Sequence, residues 1–322
     1  MAGFILEKFG LNVESGSLSP LASYDDLNFK FKANQNLYTL KVSNGVETLE
    51  NLDLQNKSML HLSGHLSAPV PIPSLSGPYV AQYLNPSGKP FYIRILTFIP
   101  GEVLASVPWT PHLSTQFGRL LGKMDQIFSS FTHPASSRAM AWDLSNAKKV
   151  ILAHLPVVQD PSKQSLVQHY LALYASEVEP VLPSLRRSVI HGDPNDHNFL
   201  VSPGPPAAVQ TVLDFGDLVL SHTINDLAMA IAYAMLNKED PLGVARGIFE
   251  GFNEEFPVLP EEKKVIFVLS CIRLCTSAVM GTYNISLQPE NREYLEVHSK
   301  PAWEMLSRFK SLTIGEMQEI FR

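Results

Sequence analysis

The sequence predicts an α+β protein of two lobes, the first rich in β-strands with one helix, the second mainly helical and carrying a short β-hairpin. Three observations predict it. Residues 27–32 alternate apolar and polar as Leu-Asn-Phe-Lys-Phe-Lys, the period of a half-buried strand. From residue 113 onward, apolar residues recur at helical spacing. Two short β-like runs, 188–201 and 209–214, interrupt that helical half.

The elements follow in order. Residues 36–43 form a second alternating run, close enough to 27–32 to pair as a hairpin, with Lys41 near its end. Residues 47–65 place Leu49, Leu52, Met59 and Leu60 on a helical stripe, and Pro69, Pro71 and Pro73 end it. Residues 79–84 and 91–98 read as two further strands around a turn at 85–88. The turn signal Ile99-Pro100-Gly101 marks a connector, so the first lobe is expected over 1–97, the connector over 98–101 and the second lobe over 102–322. In the second lobe, 113–128 is amphipathic through Phe117, Leu120, Leu121, Met124, Ile127 and Phe128. Helices are expected over 146–155, 165–174, 224–236, 241–252, 261–280 and 303–309. Clefts between lobes are favoured ligand sites.

Composition narrows the class. The chain has 322 residues, 45% of them hydrophobic and only 17% charged, against about 25% in ordinary soluble domains. A net charge of −6 argues against a nucleic-acid partner. No uninterrupted apolar run approaches a membrane span, and the start lacks a signal-peptide pattern, so a cytoplasmic protein without a membrane partner is expected. Cys271 and Cys275 cannot make a disulfide framework and read as a buried apolar pair one helical turn apart.

The chemistry concentrates in His191-Gly192-Asp193-Pro194-Asn195-Asp196-His197-Asn198, a polar cluster bracketed by apolar residues, and in Asp214-Phe215-Gly216-Asp217 downstream. Phosphoryl transfer needs a carboxylate for the attacking hydroxyl's proton, oxygen ligands for Mg2+, and a cation on the nucleotide phosphates. Asp193 and Asn198, spaced Asp-x-x-x-x-Asn, supply a base and a metal ligand from one loop, and Asp214 supplies a second metal ligand. The hairpin is expected to bring Asn198 and Asp214 together. Lys41 is the candidate phosphate cation.

These motifs resemble the aminoglycoside phosphotransferase and choline kinase superfamily, which shares the protein-kinase-like fold. The strings Ser23-Tyr24-Asp25-Asp26-Leu27-Asn28-Phe29, Tyr38-Thr39-Leu40-Lys41-Val42, Ile95-Leu96-Thr97-Phe98-Ile99-Pro100-Gly101 and Trp142-Asp143-Leu144 further resemble the hydroxylysine kinase family. The resemblance implies Asp193 as catalytic base, Asn198 and Asp214 as Mg2+ ligands, and Lys41 on the α/β-phosphates. It implies a phosphate cover at 23–28, where Ser23 and Asn28 side chains or backbone N–H groups replace the missing glycines, and a purine site at 95–99 that includes Leu96 and Phe98. It also implies an acid on the first-lobe helix paired with Lys41. The apolar stripe favours Asp53 over Glu50 for that role.

The expected reaction moves the γ-phosphoryl of GTP or ATP to a hydroxyl, with 5-hydroxy-L-lysine the leading acceptor. Homoserine, choline, ethanolamine or an aminoglycoside are the alternatives, as is a pseudokinase that binds nucleotide and serves as an interaction module. Asp217 and Asp196 are candidates either to orient a metal ligand or to hold a substrate amine. Arg94, Arg119, Arg273 and Arg292 are open candidates for a substrate carboxylate. His191 reads as a loop-bracing residue, and Asp226 as a helix cap or a brace for the catalytic loop. Oligomeric state is not legible.

Overall fold

A computed structural model describes residues 1–21, 26–43, 45, 47–85, 87–202, 204 and 207–322, with Tyr294 described by its backbone. Ser23 therefore lies outside the described residues. The chain groups into two compact units.

The first unit comprises residues 1–101, 133–136 and 211–216. Its five-stranded antiparallel sheet has the order β1 (Ser19–Leu21), β2 (Leu27–Ala33), β3 (Asn36–Val42), β5 (Pro90–Thr97), β4 (Ala81–Leu84). The alternation read from the sequence sets which face is buried: Phe31, Ala33, Leu40, Ile93 and Ile95 share one core with Ile5 and Phe9 of a helix the sequence did not announce, α1 (Ala2–Phe9). Register places Lys41 of β3 between Asn28 of β2 and Arg94 of β5. The expected helix is α2 (Leu49–Leu62), where Thr48 Oγ1 accepts from Asn51 N at 3.2 Å and so fixes the N-terminus.

The second unit comprises residues 102–132, 137–210 and 217–322. Its helices are α3 (Pro111–Phe128), α4 (Ala147–His154), α5 (Pro161–Leu173), α6 (Ile224–Ala234), α7 (Pro241–Glu255), α8 (Pro260–Leu287), α9 (Arg292–Phe309) and α10 (Ile314–Glu319). Helices α3 and α7 touch backbone to backbone. A Cβ at Gly118 would lie 1.9 Å from Ile248 O, and one at Gly251 would lie 2.0 Å from Thr115 O. Helix α8 is long and apolar enough by length and composition to cross a membrane, although no uninterrupted apolar run signals it; 89% of its most apolar window is buried inside the protein. Helix α9 begins eleven residues before the expected one at 303–309 and carries Pro301 inside it.

The β-run expected over 188–201 is two strands, β7 (Arg187–Ile190) and β8 (Phe199–Val201), separated by the polar loop. Strand β7 pairs antiparallel with β10 (Val219–His222), which the sequence reading missed. Strand β8 lies between β6 (Glu102–Val103) and β9 (Val209–Val212). The expected boundary at 98–101 also needs correction, because 98–101, 133–136 and 211–216 all group with the first unit. Side chains explain this: His133 Nε2 meets Asp53 Oδ2 at 3.0 Å, and Thr211 Oγ1 donates to Ser67 O at 2.6 Å.

Candidate active site

Buried strand β7 delivers the polar loop, and Gly192 turns it. Gly192 has φ +83, and a Cβ there would lie 2.2 Å from Asp217 O, so only glycine lets the loop pass the start of β10. Asp193 follows, half-buried. Asn195 caps a short 3₁₀ turn at Asp196–Asn198 by accepting from His197 N at 2.8 Å.

The Asp193 carboxylate is held from three directions. Asn195 Nδ2 donates to its Oδ2 at 2.7 Å. Asn198 Nδ2 donates to its backbone oxygen at 2.9 Å and reaches Oδ2 at 3.3 Å. Arg273 Nη2, from α8, stands 3.5 Å from Oδ1. With its N–H groups turned to Asp193, Asn198 keeps its amide oxygen for another partner.

Arg273 is itself built in. Its Nε donates to Tyr233 Oη at 2.9 Å and its Nη1 to Trp142 O at 2.8 Å. Its guanidinium carbon lies 5.2 Å from the Trp142 ring centre and 5.2 Å from that of Tyr233. Burial alone would weaken its charge, but Tyr233 and Asp193, with Asp217 contributing, raise its pKa above the usual value. The other three arginine candidates are accounted for. Arg119 pairs with Glu254 at 2.6 Å and Arg292 with Glu296 at 3.0 Å. Arg94 is buried in the first unit, bonded to Gln55 Oε1 at 2.7 Å and Asn56 Oδ1 at 3.3 Å, and burial pushes its pKa down to about 10.

The loop backbone is anchored from below. Asp226 of α6 accepts from His191 N at 2.7 Å and from Gly192 N at 3.0 Å. His191 is fully buried, and its Nδ1 accepts from Asp193 N at 3.3 Å, the bracing role expected of it. No N–H or hydroxyl donor reaches either carboxyl oxygen of Asp125 on α3, which is fully buried against the Asp226 carboxyl. Burial and the neighbouring charge of Asp226 raise the Asp125 pKa well above the carboxylate range. Burial raises Asp226 too, but His191 and the two loop N–H groups favour its charge, so the shared proton resides on Asp125.

In the first unit, Lys41 Nζ lies 3.9 Å from Asp26 Oδ2. Asp53 is not its partner, contrary to expectation: Asp53 meets Lys57 at 2.7 Å and His133 at 3.0 Å. Burial would raise the Asp53 carboxyl, but hydrogen bonds from Lys57 and His133 outweigh it and hold it below its usual value. Glu50 is exposed at the start of α2. The stripe that favoured Asp53 marks the buried side of α2, and Asp53 sits at the rim of that side, where His133 reaches it. Leu96 is buried on β5, and Phe98 is half-buried beneath Lys30 Nζ at 4.7 Å. Asp214 is exposed, with φ +53, a left-handed conformation a non-glycine residue rarely adopts. Its Oδ1 accepts from Gly216 N at 3.2 Å, and its charge is felt at Arg94.

Asn198 of the second unit offers an amide oxygen and Asp214 of the first a carboxylate, each a hard oxygen donor of the kind Mg2+ takes. Among the described residues no group of three or more His, Cys, Asp or Glu side chains could hold a metal alone.

The sequence reading did not assign Asn195, Tyr233 or Asp125 to the site, and gave Arg273 only as one of four open candidates for a substrate carboxylate. Arg273 and Asp125 carried a signal: each is a charged residue on the apolar face of a helix, where charges persist only when paired.

The model of the phosphotransferase enzyme family, APH, matches residues 17–261. Hydroxylysine kinase of Danio rerio is 31% identical, covering 93% of this chain and 88% of that protein. Hydroxylysine kinase of Bos taurus is 29% identical over 97% of this chain and 89% of that protein. Among solved structures, a microcompartment-associated aminopropanol kinase superposes with TM-score 0.73 at 15% identity, covering 94% of this chain and 95% of that one. Amicoumacin kinase in complex with AMP-PNP, Ca2+ and Ami superposes with TM-score 0.65 at 16% identity, covering 95% and 89%. Both have the kinase-like fold.

Proposed function

The chain belongs to the APH phosphotransferase enzyme family and is a small-molecule kinase with a hydroxyl acceptor, and on that premise we propose that it transfers the γ-phosphoryl group of GTP or ATP to the 5-hydroxyl of 5-hydroxy-L-lysine. The observation that carries the reading is the Asp193 carboxylate, fixed by Asn195, Asn198 and Arg273 on a loop that two side chains brace from beneath. The similarity to hydroxylysine kinases supports this choice of acceptor.

In the proposed step the acceptor oxygen attacks the γ-phosphorus. Its proton passes to Asp193, and the bond to the β–γ bridging oxygen breaks, releasing the nucleoside diphosphate. Asn195 and Asn198 would hold the base toward the acceptor, with the Arg273 guanidinium beside it at 3.5 Å. Asn198 Oδ1 and the Asp214 carboxylate would hold Mg2+, which when bound neutralises phosphate charge. Lys41 and Asn28 would meet the phosphates, and Leu96 and Phe98 the purine. Asp217, whose charge is felt at Arg273, would hold the ε-ammonium on the carbon next to the reacting hydroxyl. We place the protein in the cytoplasm on its composition.

The test is turnover of 5-hydroxy-L-lysine with Mg2+ and either nucleotide, read as phosphorylated product by mass spectrometry, with Asp193→Asn in parallel. Product from the native protein and loss of several orders of magnitude in the variant are expected. No product with either donor would sink the hydroxylysine reading.

A further inference from the structure

Neither acid of α2 is turned to Lys41. Glu50 is exposed, and Asp53 meets Lys57 and His133. Lys41 Nζ lies instead 3.9 Å from Asp26, just before β2. The helix is nevertheless fastened to the sheet, and a different cation does it.

Register shows how. Lys41 of β3 stands directly opposite Arg94 of β5, so the two side chains share one face of the sheet. Their neighbours Leu40, Val42, Ile93 and Ile95 point the other way, into the core with Ile5 and Phe9 of α1. Like charges set opposite each other repel. The Arg94 guanidinium turns to α2, where Nη2 donates to Gln55 Oε1 at 2.7 Å and Nη1 to Asn56 Oδ1 at 3.3 Å. Only 1% of Arg94 is exposed, with 5% of Gln55 and 2% of Asn56. Polar groups buried this far are stable only when bonded, and here each completes the other. The charges of Asp26 and Glu47 offset part of what burial costs the guanidinium. A planar guanidinium spans two acceptors in one fixed geometry, which a lysine ammonium does not.

We propose that Arg94 is a positioning residue for Lys41: it docks α2 on the sheet through Gln55 and Asn56, in place of an ion pair between the helix and Lys41, and so leaves Lys41 to the nucleotide phosphates. In protein kinases the strand lysine must meet a glutamate of the corresponding helix, and moving that helix switches the enzyme. Here the fastening of the helix is separate from the lysine. Helix α2 therefore stays docked with or without nucleotide and is not the element that turns the enzyme on. The two amides also accept hydrogen bonds without cancelling the guanidinium's charge, so this face of the sheet keeps two cations. The inference rests on Lys41 as the phosphate cation and deepens that reading.

Hydrogen exchange of the α2 amides and titration with ADP or GDP in Mg2+ test it together, at a temperature where every variant is folded. Neither measurement needs an acceptor. In the native protein, nucleotide should leave α2 protection within about twofold. In Arg94→Met, α2 protection should fall about 10- to 100-fold, the size of a charge-assisted hydrogen bond, and the nucleotide Kd should rise about tenfold. Arg94→Lys, which keeps a cation on β5, should recover part of both. Lys41→Met should weaken nucleotide and leave α2 protection as it was, and Asp53→Asn should leave nucleotide affinity as it was. Unchanged α2 protection in Arg94→Met, loosening of α2 in Lys41→Met, or a tenfold gain in α2 protection on adding nucleotide would each overturn the docking role. If Lys41→Met binds nucleotide as the native protein does while Arg94→Met loosens α2, the phosphate reading of Lys41 fails and the docking role stands. If Lys41→Met loses nucleotide while Arg94→Met leaves α2 unmoved, the docking role fails and Lys41 stands.

Discussion

Replacing Asp125 by Asn tests the buried proton directly. In the folded protein Asp125 keeps a proton well above the carboxylate range, because burial and the adjacent Asp226 charge oppose its ionisation. In the unfolded chain the same carboxyl ionises near pH 4. Between those two values the native state holds one proton more than the unfolded state. The sign follows: raising the pH favours the state with fewer protons, so this group's contribution to stability falls with rising pH at about 1.4 kcal/mol per unit. The loss begins near the unfolded value and stops only above the raised folded value. An Asn at 125 offers Asp226 a permanent N–H in the same place and has nothing to ionise. Urea unfolding of both proteins at pH 5, 6, 7 and 8 isolates the effect, because other titrating groups, including His222 and His298 with their lowered values, cancel in the difference. The stability of the native protein relative to Asp125→Asn should decline as pH rises between the unfolded carboxyl value and the raised folded value, by at most about 1.4 kcal/mol per pH unit. Arg186 and His191 also face the pair; both favour ionised carboxyls, which narrows the window without reversing its sign. Two parallel curves would refute the shared proton.

Two further substitutions follow from the same frame. Glu262 is fully buried, bonds Arg186 at 2.8 and 2.5 Å, and accepts from Leu259 N at 2.9 Å. Glu262→Ala should cost near the lower end of the roughly 3–5 kcal/mol for breaking a buried pair, because Arg186 retains some solvent, and urea unfolding measures it. At Gly192, an added methyl would collide with Asp217 O in a left-handed backbone, so Gly192→Ala should displace Asp193 and lower kcat about 100-fold, measured by steady-state turnover.

Local patterns were legible and distant pairings were not. The alternation at 27–32 and 36–43 gave strands within a residue of β2 and β3, because one buried face imposes period two on the sequence. The helix at 113–128 was legible for the same reason at a different period. Strand β10 was invisible because four residues, Val219–His222, carry too little pattern to announce a partner thirty residues back. Asp193 and Asn198 were legible because one loop holds both. The Lys41 partner was misread because the periodicity of α2 reports which side is buried and says nothing of which cation reaches it. There Lys57 lies one turn away on the same helix and closes on Asp53 at 2.7 Å.

The same distinction bears on how Asp193, the proposed base, is held. The loop supplies Asp193, but three core helices fix where it stands: α8 through Arg273, α6 through Asp226, and α3 through Asp125. Each contributes a charged or polar group on an otherwise apolar face, a placement that costs stability unless the group is completed. The cost is met within the network: Arg273 is satisfied by Tyr233, Trp142 and Asp193, and Asp226 by two loop N–H groups and the Asp125 proton. If Asp193 is the base proposed above, a carboxylate set in this way is positioned before any acceptor binds, and the reorganisation that phosphoryl transfer would otherwise demand is completed during folding. Substitutions at Asp125, far in sequence from the loop and without access to substrate, therefore reach the chemistry through two hydrogen bonds and should lower kcat more than they change KM.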